Sequence, residues 1–365
     1  MDNFITIKDA SKILKISPMT LRRWDKNGKL KTIRHPFNNY RVYNQKEVEK
    51  IYENYFLSKK AVDEKSKRGN WATLKKWLNT IQCMDCIKGM KKLPEQSVDL
   101  IIADPPYNIG KDFGNNLDKR ELNEYVEWSK TWINEAIRIM KPAGTMFIYG
   151  FSEILAHLSV EITINKRWLI WHYTNKNVAS LNFWQRSHEA IICAWKNTPI
   201  FNRDQVREPY TEGFLNGAAG KIRKGTVGRF SKNGKETIYK AHENGALPRD
   251  VIKIPALAGG AGMNERWFLC KDCKNVFEPK KLKNHLNHNI TKHPTQKPLE
   301  LTRKLIRASM PEKNGIILVP FVGSGSECVI AKELGLSYVG FELNPDYIKI
   351  AKKWLENTSQ IVHLF

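Results

Sequence analysis

Apolar and polar positions alternate with several different periods along this 365-residue chain. Over residues 4–51 the runs are short and mostly helical. "IKDASKILK" places Ala10, Ile13 and Leu14 on one face. "ISPMTLRRWDKNGKL" predicts a second helix, with Ser17 as N-cap, Pro18 at the first helical position and Gly28 at the stop. Leu21 and Trp24 then face inward, and Arg22 and Arg23 outward. "KTIRHPFNNYRVYN" reads as two short strands about an Asn38-Asn39 turn, and a further helix begins near Gln45. Helix, turn, helix and hairpin predict an α-rich winged helix-turn-helix over 1–56. Residues 57–75, which include the polar "LSKKAVDEKSKRGN", are predicted to be a linker.

From residue 76 onward the periods are those of an α/β protein. "SVDLIIA" is a buried strand, "LNEYVEWSKTWINEAIRIMK" a helix ended by Pro142 and Gly144, and "TMFIY" the next strand. Near the C-terminus "GIILVPF", "SECVIAKELG" and "SYVGFE" read as strand, helix and strand. Such alternation predicts a doubly wound, mostly parallel Rossmann-like sheet over 76–365.

Charge narrows the choice of partner. Lys+Arg number 60 against 37 Asp+Glu, a formal +23, which favours a polyanion and above all nucleic acid. No apolar run approaches the roughly 20 residues of a membrane span, and "MDNFITIKDA" lacks the layout of a signal peptide. A cytoplasmic protein with no membrane partner is expected, its six cysteines reduced. The "TLRRW" helix and "YRVY" wing resemble the DNA-binding head of MerR-type regulators. In that frame Arg22 and Arg23 approach the major groove and Arg41 a phosphate.

Two stretches carry chemistry. In "VPFVGSGSECVIAKELGLSYVGFELN" a strand runs into Phe321-Val322-Gly323-Ser324-Gly325-Ser326, then a helix, then a strand ending in Glu342. Glycines allow a tight turn and close approach to a ligand, and the acid can accept from ribose hydroxyls, so a nucleotide-type cofactor is expected there. It is neither a G-x-G-x-x-G fingerprint nor a P-loop. In "IIADPPYNIG" a buried strand stops at Asp104, and Pro105 and Pro106 make a stiff elbow before Tyr107. The F-x-G-x-G turn resembles the S-adenosylmethionine loop of DNA methyltransferases, and Asp104-Pro105-Pro106-Tyr107 resembles the catalytic motif of those that methylate base amines. "KHPTQKP" is similar to a third motif, which implies that His293, Thr295 and Lys297 lie by the methionine part of the cofactor. "CMDCIKGMKKLPEQSVDLIIADPPYNI" resembles the usual approach to the elbow and implies Asp85 near the adenine. Elbow first and glycine turn last is the order of the β group, a circular permutation of the fold. The resemblance departs at Val319, where the family usually has an acid that helps hold the cofactor.

The elbow suits attack by an amine. The nitrogen of a base amine must pyramidalise to attack a methyl sulfonium; the Asp104 carboxylate and the Pro105 carbonyl can accept its two hydrogens, and Tyr107 can stack on a base swung out of the duplex. An acid at the first elbow position is the adenine-N6 tendency, so the resemblance implies a site-specific adenine-N6 DNA methyltransferase of a restriction-modification system acting on duplex DNA. Cytosine-N4 methylation is the second reading. A DNA-binding regulator that only senses the cofactor is a third, from another class, allowed by Val319. A partner restriction endonuclease, the recognition sequence, and a single chain or a homodimer stay open.

Two features stand apart from those motifs. "CKDCKNVFEPKKLKNHLNH" spaces Cys270-x-x-Cys273 and His285-x-x-His288 as structural zinc ligands, with a shorter loop and a shorter His–His step than the usual finger. Cys83 and Cys86 are read as packing cysteines. The basic 197–262 interval is expected to be an insertion that recognises the target DNA, and Trp184 a residue of the base pocket.

Overall fold

The computed structural model describes residues 4–14, 16–35, 39–52, 71–110, 118–175, 180–217, 219–224, 236–238, 240–258, 264–311 and 314–360. The chain divides into two compact units, Met1–Ala72 and Thr73–Phe365. Most of the expected linker, and Asn38 of the expected turn, lie outside the described residues.

The first unit follows β1 (Phe4–Thr6), α1 (Ile7–Leu14), α2 (Pro18–Lys26), β2 (Ile33–Arg34), β3 (Arg41–Asn44) and α3 (Gln45–Ile51). Local chemistry sets α2. The Ser17 hydroxyl accepts from the Thr20 amide at 3.1 Å, Pro18 fills the first position, and Gly28 turns the chain at φ +69°. Ala10, Leu14, Leu21, Leu30, Tyr43 and Val48 form a small core. The strands pair antiparallel in the order β1-β3-β2, so the hairpin gains a third strand from the extreme N-terminus.

Besides the short pair Ile222–Lys224 and Glu236–Ile238, the strands of the second unit are β4 (Thr80–Cys83), β5 (Val98–Ala103), β6 (Met140–Gly150), β7 (Asn165–His172), β8 (His188–Trp195), β9 (Val251–Lys253), β10 (Phe268–Cys270), β11 (Asn275–Phe277), β12 (Ile290–Thr291), β13 (Ile316–Val319) and β14 (Ser337–Glu342). The helices used below are α4 (Cys86–Met90), α5 (Leu122–Ile139), α6 (Ser152–Glu161), α7 (Leu299–Ser309), α8 (Ser326–Glu333) and α9 (Pro345–Glu356). Eight strands form one sheet in the order β9-β7-β8-β6-β5-β13-β14-β4. The five from β6 to β4 run parallel, while β8 is antiparallel to both β6 and β7.

Strand β5 is buried along its whole length, as a central parallel strand must be. Its side chains alternate between two layers: Leu100 and Ile102 pack with Leu301 and Leu305 of α7, and Ile101 and Ala103 with Trp132 and Ile133 of α5. Its one buried acid, Asp99, is paired with Lys141 at 2.8 Å and accepts from the Ile316 amide at 3.0 Å.

Two differences from the sequence reading have physical causes. Helix α5 ends at Ile139, and β6 begins at once with Met140 rather than after Gly144. The β5–β6 register jumps between Val98 and Leu100, so a bulge absorbs Pro142, which cannot donate to a ladder. Gly144 fits there because a Cβ would come within 2.8 Å of the Asp99 carbonyl. The 197–262 interval is also more integrated than an insertion. Val251–Lys253 joins the main sheet as its edge strand, and Glu208 is held by Lys304 of α7 at 2.7 Å. Beyond it, Ile222–Lys224 pairs with Glu236–Ile238; residues 225–235 lie outside the described residues. Among the described residues no helix is long and apolar enough to cross a membrane.

Candidate active site and metal centre

A cleft opens at the carboxyl ends of adjacent parallel strands, where doubly wound sheets hold their ligands. Strand β4 delivers Asp85 and Cys86, β5 the Asp104–Tyr107 elbow, β13 the turn Pro320–Ser326, and β14 Glu342; His293, Thr295, Gln296 and Lys297 close another wall. The described residues thus bring together every residue expected at the catalytic elbow and nearly all of those expected at the cofactor. Gly325, which is not itself among the lining residues, shapes the turn.

The glycine turn needs glycine at both positions. Gly323 and Gly325 have φ of +53° and +96°. A Cβ on the first would meet the His293 imidazole at 2.8 Å, and one on the second the Ala351 side chain at 2.7 Å. Glu342 ties the turn to the next strand: one carboxylate oxygen accepts from the Gly323 amide at 2.7 Å, the other from the Leu343 and Asn344 amides at 2.8 Å each. Burial raises this carboxyl above its ordinary value against those three donors. Asp85 lines the cleft while capping α4, where it accepts from the Lys88 amide at 3.0 Å. Gln296 is anchored to the turn by the Ser324 hydroxyl at 3.0 Å.

The elbow is held from several sides. Tyr125 of α5 donates to the Pro106 carbonyl at 2.7 Å. The Tyr107 hydroxyl donates to Asp104 at 2.8 Å and lies 3.1 Å from Glu189. Its ring packs edge-on against Phe151. Lys297, expected beside the cofactor, lines the cleft and puts its ammonium on Asp104, 2.8 Å from Oδ1 and 2.7 Å from Oδ2. It also lies 3.6 Å from Glu189 and 5.3 Å from the centre of the Tyr107 ring. A carboxylate has about four acceptor positions; three on Asp104 are filled by these bonds, two on Oδ1 and one on Oδ2. Among the described residues one acceptor position is left, on Oδ2.

Sequence reasoning missed two acids of this wall. Glu189, second in β8, is 6% exposed, and Glu327, second in α8, is 4% exposed. The signal for Glu189 was present in "SHEAIICAW": because β8 runs antiparallel to β6, an acid at its start lies at the same sheet end as an acid closing β5. Three buried carboxyls thus surround one ammonium. Burial opposes the charge on Lys297, but Asp104 and Glu189 hold it above the ordinary lysine value. Burial raises the Asp104 carboxyl, and Lys297 limits the rise. Glu327, which accepts from the Ser326 hydroxyl at 2.9 Å, is pushed up to about 7 by burial and by the charge of Asp104. Val319, at the position noted for its missing acid, is 1% exposed in the core.

Of the remaining expected positions Cys86 also lines the cleft, and the others are not among its lining residues. Trp184 is 87% exposed. Cys86 is buried and Cys83 exposed, both as free thiols. In the first unit Arg22 and Arg23 are exposed on α2, while Arg41, expected at a phosphate, pairs with Asp25 at 2.9 Å. The sulfur and nitrogen atoms of Cys270, Cys273, His285 and His288 gather within 4.8 Å of one another.

The family described as DNA methylase matches residues 98–353, and the family described as MerR family regulatory protein matches residues 6–43. Type II methyltransferase M.HpaI of Haemophilus parainfluenzae is 30% identical over 285 residues, covering 75% of this chain and 73% of that protein. DNA adenine methyltransferase YhdJ of Escherichia coli (strain K12) is 27% identical, covering 75% of this chain and 82% of its own length. Among solved structures, PvuII DNA methyltransferase (cytosine-N4-specific) shares the fold, with a TM-score of 0.51 at 13% identity over 75% of this chain and 85% of that one.

Proposed function

The chain belongs to the DNA methylase family, and on that premise we propose that it methylates the N6 amine of adenine at a specific site in duplex DNA, as the modification half of a restriction-modification system. The observation that carries the reading is Asp104: a carboxylate closing a central parallel strand, held by Lys297, with one acceptor position left beside a glycine turn. S-adenosylmethionine, when bound, supplies a methyl group activated by a positive sulfur. The residues present suit it: the Gly323–Ser326 turn admits no Cβ at either glycine, Glu342 would accept from the ribose, Asp85 would lie toward the adenine, and His293 and Thr295 line the same cleft.

This chain's residues then act on the amine. Asp104 accepts one N–H through the free position on Oδ2, and the Pro105 carbonyl accepts the other, so the nitrogen lone pair is turned out of the ring plane. Pro105 and Pro106, with the bond from Tyr125, keep that geometry rigid. Lys297 fixes the direction of the Asp104 carboxylate. Glu189 and Glu327 make the wall negative overall, which favours a cation in the cleft and the positive charge that develops on the nitrogen. Tyr107 is buried at 7% exposure, packed against Phe151 and Lys297, but lines the cleft, and is the ring against which a base taken out of the stack would rest. In the first unit the exposed Arg22 and Arg23 of a helix-turn-helix supply contacts to DNA, a reading that the match to the MerR description supports.

The test is transfer of labelled methyl from S-adenosylmethionine to duplex DNA, followed by nucleoside analysis. N6-methyladenine is expected. N4-methylcytosine would transfer the reading to the other amine, as would RNA methylation without duplex DNA methylation to another substrate. Intact cofactor binding with no transfer would instead favour a regulator. Modified-base sequencing of DNA from a host expressing the chain gives the recognition site.

A further inference from the structure

The Cys270–His288 module takes no part in the methyl-transfer reading, yet its four ligating side chains converge. His288 Nδ1 lies 3.4 Å from Cys270 Sγ, 3.2 Å from Cys273 Sγ and 3.1 Å from His285 Nδ1, and Cys273 Sγ lies 3.8 Å from His285 Nδ1. One ring nitrogen carries either a single proton or a single lone pair, so hydrogen bonding cannot account for three such neighbours. A shared metal can. With Zn–S of about 2.3 Å and Zn–N of about 2.05 Å, the edges of a tetrahedron are roughly 3.6 Å for S···N and roughly 3.3 Å for N···N. The spacings above match those edges.

The surroundings are those of a built site. The Cys273 amide donates to Cys270 Sγ at 3.3 Å, and Lys274 turns the knuckle at φ +53°. Phe277 stacks on the His285 ring with centroids 4.1 Å apart. The strands order as β11-β10-β12, and their shared core is only Phe268, Cys270 and Phe277 with Leu282 and Ile290 against them. A core of that size needs a further staple.

We propose that Cys270, Cys273, His285 and His288 bind a structural zinc ion whose task is to fix the adjoining segment 292–297 in the cleft wall. Strand β12 pairs with β10 through Ile290 and Cys270, and His293 lies two residues beyond its end. His293 rests edge-on against Tyr347 at 4.8 Å, and Leu269 of β10 packs on the same Tyr347 and on Ile350 of α9. Zinc therefore holds β10, β10 holds β12 and α9, and these two seat the wall that ends in Lys297. Only the naming of that wall as a cofactor and catalytic wall rests on the methyltransferase reading; the metal and the ordering do not.

The experiment uses the full chain, purified without chelator. Metal analysis should find about one zinc per chain. After exchange, Co²⁺ should give the intense visible bands of a tetrahedral thiolate site. Removal of zinc should speed amide exchange over 290–299 by at least ten-fold, with exchange in the β5 core unchanged. The variants Cys273→Ser and His288→Ala should lose zinc; if either fails to accumulate, reversible removal from the wild-type chain carries the same test. Less than a tenth of a zinc per chain and no cobalt spectrum would overturn the site. Zinc that leaves without any change in exchange over 290–299 would overturn its positioning task. A zinc-loaded chain that never binds S-adenosylmethionine would overturn the methyltransferase reading alone, because the metal and exchange arms use no cofactor.

Discussion

Lys297 of the cleft is 2% exposed and bound by Asp104 and Glu189, whereas Arg22 and Arg23 of the first unit stand in solvent on α2. The same kind of charge has different uses in the two places. Out of water an ion must be paired, and breaking one pair strands its partner, so buried charges set geometry. In water the ion is screened and mobile, so it contributes affinity that salt removes. The cleft should therefore respond to substitution by losing rate and stability, and the helix by losing salt-dependent binding.

The largest effect is expected at Asp104. Asp104→Ala should lower single-turnover methyl transfer by at least about 10³-fold, since both the acceptor and its charge are lost. Binding of S-adenosylmethionine, measured by calorimetry, should be nearly unchanged, because the glycine turn and Glu342 are intact. Retained turnover would remove Asp104 from the chemistry.

Lys297→Met should follow. It leaves Asp104, Glu189 and Glu327 without a buried counter-ion, a change that costs about 3–5 kcal/mol when one partner of a buried pair is removed. Urea unfolding reads that loss. The variant should also show transfer rising at higher pH than in the wild type, since the carboxyl loses the neighbour that limits its rise. A purely structural lysine would lower stability and leave the pH profile in place.

Glu327 gives a pH test with a definite sign. Its carboxyl is raised in the folded chain from 4.5 to about 7. Between those values the folded state holds a proton that the unfolded state has released, so stability falls as pH rises from about 4.5 to about 7 and then levels. Glu327→Gln should remove that part of the slope and be the more stable chain at pH 8. Chemical denaturation across that range checks it, and an unchanged slope would mean that Glu327 ionises freely in the cleft. The same group should release a proton when a cationic cofactor enters near pH 7, which calorimetry in buffers of different ionisation enthalpy detects.

What the sequence made legible was whatever is encoded over a few residues. The Ser17 cap, the apolar run of β5 and the glycine turn each depend on neighbours within about one helical turn or one strand. The strand–turn–helix–strand order then fixed the α/β class. The wall of the cleft was less legible because its bonds join distant parts of the chain: Tyr107 to Glu189 across 82 positions and Lys297 to Asp104 across 193. No local pattern distinguishes an acid that opens a buried strand from a strand-end cap until the strand's direction is known. The β6 bulge escaped for a similar reason, since Pro142 and Gly144 look like a helix stop and only the β5 partner turns them into a bulge.

The smallest effects belong to the arginines of the first unit, and they separate the half-buried Arg41 from the exposed Arg22 and Arg23. If Arg22 and Arg23 each neutralise one phosphate, Arg22→Ala and Arg23→Ala should each reduce the slope of log K against log salt by about 0.9. The loss of affinity at moderate salt should be several-fold, with little change in transfer at saturating DNA. Arg41 is already engaged: Asp25 accepts from its Nε at 2.9 Å and also from the Thr32 amide at 3.1 Å. Its guanidinium is thus partly neutralised, so Arg41→Ala should change the salt slope less than either α2 substitution. Asp25→Asn should free that charge and raise non-specific affinity. Binding titrations of the full chain on one duplex at several salt concentrations read all four variants. A slope change for Arg41→Ala equal to that for Arg22→Ala would mean that the Asp25 pair opens on DNA, and that this half-buried ion pair is a switch rather than a brace.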